Sequence, residues 1–471
     1  MKRFLNVLFD RNKYREVFIF ITILFAISYF TPLSSILNLI LLLWGAIIII
    51  KDLLVKRIIF KSKKFIALIF FIIAYFITII SNRYMGLFEN IKILALTSLQ
   101  FFILFAFDDE DDKCDIYNHI IRFNNIIIKV TFITSLISLI IYLLGINFEF
   151  KNFVIGVENG MLNGVYTGAN TGGPLAAISI VASILIMELK KSSEMNKFYI
   201  INIVIQLIFI YMTNSRATLY CIIIFGIMFT IFYFKDKKDK VIAGSGVFGI
   251  YFLSKVVNNI LYYIYICINN IIIIAKFAFN KARYYTLLTL GKNVNNIDNK
   301  PLDMTGSAGN VSEVVEKEIS MGFLNGRAQL WGCGMQILKD NFWFGVGSRN
   351  VSEVALNYAS ISDLPGILGG GMHNIVIQVL VSNGVIGFIA IATFAVICLW
   401  EYFKYFFDIK LRTQDSKIVL IVFLILIMLL INNMAEANIL YSASYMATVF
   451  WTYLGFGLFI ISKEKREGKN D

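Results

Sequence analysis

Histidine is almost missing from this 471-residue chain, which has two, and proline is nearly as rare, with four. Charged residues make up only 16%, against 58% hydrophobic residues and a mean hydropathy of +0.73. That balance excludes an ordinary soluble domain, in which about a quarter of the residues are charged. The five cysteines, Cys114, Cys221, Cys267, Cys333 and Cys398, show no metal-ligand or redox spacing, and most lie in or near apolar runs as small hydrophobes. No cleavable leader is expected, because the basic start runs through a charged stretch into an apolar segment with no small-residue cleavage site.

What the chain has in abundance is apolar runs of bilayer-crossing length, from one end to the other, so it reads as an all-α polytopic membrane protein. We expect twelve spans, near 17–30, 36–50, 65–80, 91–107, 124–144, 172–188, 198–212, 217–234, 241–279, 374–400, 417–434 and 444–461. The first two form a tight hairpin around Thr31-Pro-Leu-Ser-Ser35. The ninth is too long for one span and is broken by Asn258-Asn259 and Asn269-Asn270, which suits a span followed by an interfacial helix. No fixed-period repeat or low-complexity linker divides the chain. It is read as one integral domain: 1–279 carries the first nine spans, 280–373 is a large hydrophilic loop, and 374–471 holds the last three spans and a tail.

Charge sets the expected orientation. Termini and loops on the N-terminal side carry 28 lysines and arginines, whereas the short opposite loops 81–92, 146–171, 213–216 and 435–443 carry 4. A bias of that size puts both termini in the cytoplasm and the 280–373 loop outside. The formal charge of +12 is then mainly a belt at the inner surface, and no nucleic acid partner is needed to explain it. The acidic run Asp108-Asp-Glu-Asp-Asp112 falls on the inner side and reads as a solvated loop rather than a metal site.

The outer face collects the polar residues of interest. His373 ends the large loop just before a span, in Gly369-Gly-Gly-Met-His-Asn374. A polar residue at a helix start is usually a cap or an anchor, yet histidine is also the side chain most ready to act as a base near neutral pH. Arg216 sits in the turn Met212-Thr-Asn-Ser-Arg-Ala-Thr218. Arg327 opens an amphipathic helix on which Trp331, Met335 and Leu338 recur at helical spacing. Glu436 and Asn170 fall on the same side, as does Asn374. Arginines at a bilayer edge are more often anchors than ligands, but guanidinium matches phosphate oxygens in a fixed fork, so a lipid diphosphate headgroup suits this set. No Asp-x-Asp pair accompanies the scattered acids Asp298, Asp303 and Asp363, so no metal or other cofactor is expected.

Several stretches, in order, resemble the O-antigen ligase and O-antigen polymerase superfamily of membrane glycosyltransferases. Thr213-Asn-Ser-Arg-Ala217 is similar to a Thr-Gly-Ser-Arg-Gly turn, with Asn214 and Ala217 where glycines are usual. Gly326-Arg-Ala-Gln-Leu-Trp331 followed by Gly345-Val-Gly347 resembles an Arg-x-x-x-Trp and Gly-x-Gly block, although Asn341-Phe342 stands where proline is common. Met372-His-Asn374 with Ser382-Asn-Gly-Val-Ile-Gly387 resembles the family's His-Asn and Gly-x-x-Gly segment, and Thr167-Gly-Ala-Asn170 is a looser likeness. The likeness is close over 326–387 and loose over 163–455.

The resemblance implies a GT-C-like fold in the bacterial inner membrane and transfer of a glycan from undecaprenyl diphosphate to an acceptor sugar hydroxyl, without metal and with inversion. In that scheme His373 is the base, Arg216 and Arg327 grip the diphosphate, and Asn170, Asn374, Trp331 and Glu436 surround the acceptor. The implied partners are the lipid-linked donor, the sugar acceptor, the bilayer, and polysaccharide-assembly proteins such as a chain-length regulator. Repeat-unit polymerisation for O-antigen or capsule is preferred, with ligation to lipid A-core as the alternative. A flippase is the reading from another class, but transporters tend to show paired halves and mid-membrane charges that this chain does not.

The orientation can be tested directly. In a cysteine-free background, a cysteine at Ser307 should react with a membrane-impermeant maleimide in intact cells. Labelling only after lysis would invert the topology.

Overall fold

The computed structural model of the chain describes residues 8–56, 62–190, 196–234, most of 236–271, 327–360, 367, 371–408 and 413–467. Its helices are α1 (Arg11–Phe25), α2 (Ser34–Lys51), α3 (Lys63–Ser81), α4 (Leu87–Leu99) and α5 (Lys113–Leu143). After a small sheet of β1 (Phe148–Phe150), β2 (Phe153–Glu158) and β3 (Met161–Gly164) come α6 (Ala169–Lys190), α7 (Asn196–Thr213) and α8 (Arg216–Tyr233). The remainder is α9 (Arg327–Asp340), α10 (Val351–Ala355), α11 (Ile375–Asp408), α12 (Gln414–Asn433) and α13 (Tyr445–Glu467).

Ten helical segments among the described residues are long and apolar enough to cross a membrane, so the chain is an all-α polytopic membrane protein. Two of the twelve expected spans account for the difference. The expected span at 17–30 is instead α1, a 15-residue helix that starts earlier and ends at Phe25. Most of the expected ninth span, and residues 280–326 of the large loop with Asp298, Asp303 and Ser307, lie outside the described residues, as does Asp363; the Asn259–Ile268 stretch is a shorter apolar helix. The sheet over 148–164 is a further departure from the purely helical expectation. It is antiparallel, pairs Phe148 with Ile155 and Val157 with Leu162, and turns at Asn159 and Gly160, both at positive φ.

Helix α1 begins early because its charges find partners inside the bundle. Asp10 caps its first turn, accepting from the amides of Asn12 and Lys13 at 2.8 and 3.2 Å. Buried Glu16 meets Lys13 at 2.7 Å, Arg122 at 2.8 Å and His119 Nδ1 at 3.1 Å. Arg15 is also buried; it donates to the carbonyls of Ile103 and Ala106 and lies 3.8 Å over the Phe107 ring. Pairing of this kind makes charge tolerable in an apolar surrounding, where an isolated one is not.

At the centre of the bundle is α13, flanked by α12, with α6 also largely buried. Small residues let neighbours approach α13 closely: a Cβ at Gly455 would lie 2.1 Å from the Phe105 carbonyl oxygen, and one at Gly457 would meet the Tyr402 hydroxyl. On the outside, α2 exposes Ile36, Leu39, Ile40, Leu43 and Ile50, the apolar surface that lipid requires.

Helix α11 is broken at Gly384, where φ is 63° and ψ is −170°. An unbroken helix would carry amide bonds from Val385 to Val381 and from Ile386 to Ser382. The segment Phe342–Gly347 substitutes for both. Val346 N–H donates to the Val381 carbonyl and Gly347 N–H to the Ser382 carbonyl, each at 2.9 Å. In return, Val385 N–H donates to Phe342 at 2.9 Å and Ile386 N–H to Trp343 at 3.3 Å. The exchange needs backbones to touch: a Cβ at Gly384 would lie 2.3 Å from the Trp343 carbonyl oxygen, and one at Gly345 would lie 2.4 Å from that of Val381.

Helices α3 and α4 hold the inserted segment. Thr78 donates to the Phe344 carbonyl and Asn82 to that of Gly345 at 3.2 Å. Buried Asn90 accepts from Tyr75 and from the Arg349 amide, both at 3.1 Å, and donates to Asn350 at 3.1 Å.

Gly384→Ala should therefore lose more stability than Gly160→Ala, although both glycines have positive φ. The strained backbone costs about 1–3 kcal/mol at either site, but only Gly384 has a carbonyl in the way; a Cβ at Gly160 meets nothing within 4 Å. Thermal unfolding in detergent reads the difference. Equal losses would mean that the close approach contributes nothing.

Candidate functional site

His373 is the penultimate residue before α11, and its neighbours are clamped on both sides. Asn374 caps the helix, its side-chain oxygen accepting from the amides of Val376 and Ile377 at 3.0 and 3.2 Å, while its amide group donates to the Met434 carbonyl at 3.2 Å. The Met372 amide donates to Gln378 Oε1 at 2.8 Å, and the Met372 carbonyl accepts from the Trp331 indole at 3.0 Å. Between these clamps His373 has φ 47°, uncommon for a residue with a side chain. The strain is borne by the caps on each side, and it turns the imidazole toward α12's end.

There His373 Nδ1 lies 3.0 Å from Glu436 Oε2, and Glu436 Oε1 lies 3.5 Å from Arg327 Nη2. Three distant stretches thus meet: the start of α11, the start of α9 and the loop after α12. The side chains of His373 and Arg327 are each 28% exposed and that of Glu436 16%. An ionised carboxylate only accepts hydrogen bonds, so its contact assigns the proton to Nδ1 and leaves the lone pair on Nε2. An imidazole held that way can take a proton at Nε2, and the carboxylate stabilises the cation that results.

The other expected residues form a second group. Ser215 Oγ donates to Asn170 Oδ1 at 3.0 Å and is 3.0 Å from the Thr218 hydroxyl. Asn214 takes φ 50°, the left-handed conformation a glycine would supply, so its departure from the family pattern leaves the turn intact. Arg216 follows as the first residue of α8 and is exposed. The two groups share a bundle end. Thr218 and Cys221 of α8 face Met428 and Asn432 of α12, four residues before Glu436, and the Tyr445 hydroxyl donates to the Thr171 carbonyl at 2.6 Å.

One expectation about α9 needs correction. Met335 is 45% exposed rather than packed; the buried stripe is Leu330, Cys333, Gly334, Ile337 and Leu338. Trp331, half-buried, also supports the loop before His373 through its indole. Burial pushes the Cys333 thiol up, away from the thiolate a nucleophile needs. Beyond the helix end, the hydrogen bond from Tyr358 to Asp340 raises the phenol and ties the loop to α9.

Gln378 was not singled out from the sequence, although Asn374, Gln378 and Ser382 recur every fourth residue along one face of an apolar helix. Gln378 donates to Ser382 at 3.1 Å as well as holding Met372. Polar residues at that period in a span are the signal that would have found it.

A polytopic membrane bundle with an arginine, a histidine and a carboxylate at one end has the makings of a membrane group-transfer enzyme. A family model described as O-antigen ligase matches residues 201–392. The match spans less than half of the chain and supports the O-antigen ligase and polymerase superfamily and an activity of that type. It includes Arg216, Arg327, Trp331, His373 and Asn374, whereas Asn170 and Glu436 lie outside it. No curated protein matches the chain.

Glu436→Gln keeps an acceptor for Nδ1–H but removes the charge facing both His373 and Arg327. The glycosyl-transfer rate constant should fall about a hundredfold, the low end of what general-base catalysis supplies, with little change in KM. A wild-type rate constant would leave Glu436 a structural residue.

Proposed function

We propose that the protein moves a glycan from an undecaprenyl-diphosphate carrier to an acceptor sugar hydroxyl at the extracytoplasmic face of the bacterial inner membrane, and that it polymerises surface-polysaccharide repeat units. The observation that carries this reading is the His373–Glu436–Arg327 cluster.

His373 Nε2 takes the acceptor hydroxyl proton as that oxygen attacks the anomeric carbon. The bond from that carbon to the phosphate oxygen breaks, undecaprenyl diphosphate departs, and attack from the opposite side inverts the centre. Arg327 and Arg216 hold the charge that grows on the diphosphate, the role in which fixed electrostatic donors contribute most. Neither nucleotide sugar nor metal takes part.

A lipid donor also needs a place for its chain. A groove of about 380 Å³ with an almost wholly apolar lining lies among α11, α12 and α13. It starts at Ile375 and Val376, directly after the His373-Asn374 pair, and at Ile439 and Leu440, just after Glu436. From there it reaches Tyr402 and Leu454. A polyprenyl chain laid in it would leave its diphosphate beside the cluster.

The matched family's description favours a second reading, ligation of finished polysaccharide to lipid A-core or another acceptor. The chemistry is the same and only the acceptor differs.

His373→Asn separates a base from a cap, since asparagine caps helices well but cannot take a proton. The variant should insert normally and bind lipid-linked donor, yet its transfer should fall about a hundred- to ten-thousandfold. The assay uses purified enzyme, lipid-linked donor and EDTA, read on a gel. A ladder from donor alone supports polymerisation, and a product formed only with added acceptor supports ligation. Wild-type transfer by the asparagine variant would retire His373 as the base.

A further inference from the structure

A second cavity, of about 390 Å³, lies between the β2–β3 hairpin and the corner joining α7 to α8. Its lining is more polar than apolar, in contrast to the groove among α11, α12 and α13. Tyr142, Tyr211, Asn214, Ser215 and Arg216 contribute polar atoms, while Leu162, Ile210 and Leu219 contribute apolar surface.

The hairpin that walls the cavity is built in. Gly164 fits against Ser138 of α5, where a Cβ would come within 2.2 Å of the serine side chain, and the Ser138 hydroxyl accepts from the Val165 amide at 3.1 Å. Asn163 accepts from the Ala169 amide at 2.8 Å, fixing the hairpin to the start of α6. On the opposite wall the Tyr142 ring stacks on Tyr265 with centroids 5.2 Å apart, which fixes its plane.

We infer that this cavity is a glycan subsite that takes one pyranose unit of the substrate. Its volume falls within the range of about 300–1,000 Å³ typical of small-molecule sites. A sugar ring presents hydroxyls at its rim and C–H groups on its face, so it needs hydrogen-bonding groups together with an aromatic or aliphatic wall, and this lining offers both. A lining that is more polar than apolar suits an acyl chain poorly. A multiply charged headgroup would want more cations than the one among the lining residues. The inference rests on the glycosyl-transfer reading for its substrate. The sugar can belong to the donor, one unit from a diphosphate at Arg216, or to the acceptor; the ring chemistry is common to both.

The test uses the full chain in nanodiscs and two probes: undecaprenyl diphosphate without sugar, and the free oligosaccharide released by mild acid from the lipid-linked fraction of the producing cells. Leu219→Trp fills the cavity and Tyr142→Ala removes its ring wall. Each should weaken oligosaccharide binding, read by saturation-transfer NMR, at least tenfold and leave undecaprenyl diphosphate binding unchanged. If wild-type protein saturated with intact donor excludes the free oligosaccharide, the subsite takes the donor's sugar; if both bind together, it takes the acceptor's. Unaltered oligosaccharide binding in both variants overturns the subsite, and so does parallel loss of both probes. Failure of wild-type protein to bind undecaprenyl diphosphate while it still binds the oligosaccharide would sink the donor reading and leave the subsite standing.

Discussion

A helix cannot be interrupted inside an apolar bundle unless its abandoned backbone groups find partners, because each unsatisfied group in hydrocarbon costs several kcal/mol. At Gly384 four such groups appear together, and the backbone of the turn at Phe342–Gly347 satisfies all of them by reciprocal exchange. That exchange fixes α11 to the chain that follows α9. It thereby sets Arg327, at one end of α9, relative to His373, at the start of α11. The glycines at 345 and 384 are points of contact between two backbones, and each works only because the other is there.

The same constraint explains the polar residues of α3 and α4. Thr78 and Asn90 look out of place in spanning helices, as does Asn82 just after α3, and each makes a hydrogen bond with the segment 344–350. Buried amides in such a network specify one arrangement, since any slip leaves several groups unsatisfied at once. The role proposed for His373 needs that rigidity, because a base misplaced by an ångström loses much of its value.

Much of this was legible in the chain. Hydropathy gave the helical membrane class, and motif order brought His373, Arg327, Trp331 and Arg216 forward. What could not be read was any contact between residues far apart in sequence. Glu436 was expected on the same face as His373, but nothing local says that it pairs with His373 Nδ1. The first span was expected to start near residue 17, whereas α1 takes in Arg11, Arg15 and Glu16, whose partners are Asp52 just after α2, the carbonyls of Ile103 and Ala106 after α4, and His119 and Arg122 of α5. The β-hairpin was missed for a different reason: three strands of three to six residues are too short for alternation to stand out. Met335 was assigned to the apolar face because helical spacing alone does not say where that face ends.

The two histidines of the chain sit in similar arrangements, and comparing them shows what separates a fully buried cluster from the candidate site. His119 Nδ1 meets Glu16 at 3.1 Å, and Glu16 also holds Arg122; His373 Nδ1 meets Glu436 at 3.0 Å, and Glu436 also holds Arg327. Glu16 has Lys13 as a further partner, but each cluster joins a histidine and an arginine through one carboxylate, so that pairing alone does not distinguish them. Exposure does. The His119 side chain is fully buried, so no substrate hydroxyl can reach it and no water can carry its proton away. Its work is to keep Glu16 paired in an apolar surrounding. The His373 side chain is 28% exposed and stands where the apolar groove begins, so it can meet a substrate and exchange a proton. A histidine–carboxylate–arginine cluster becomes a candidate active site here through its position at the edge of the bundle, which is decided by where α11 starts.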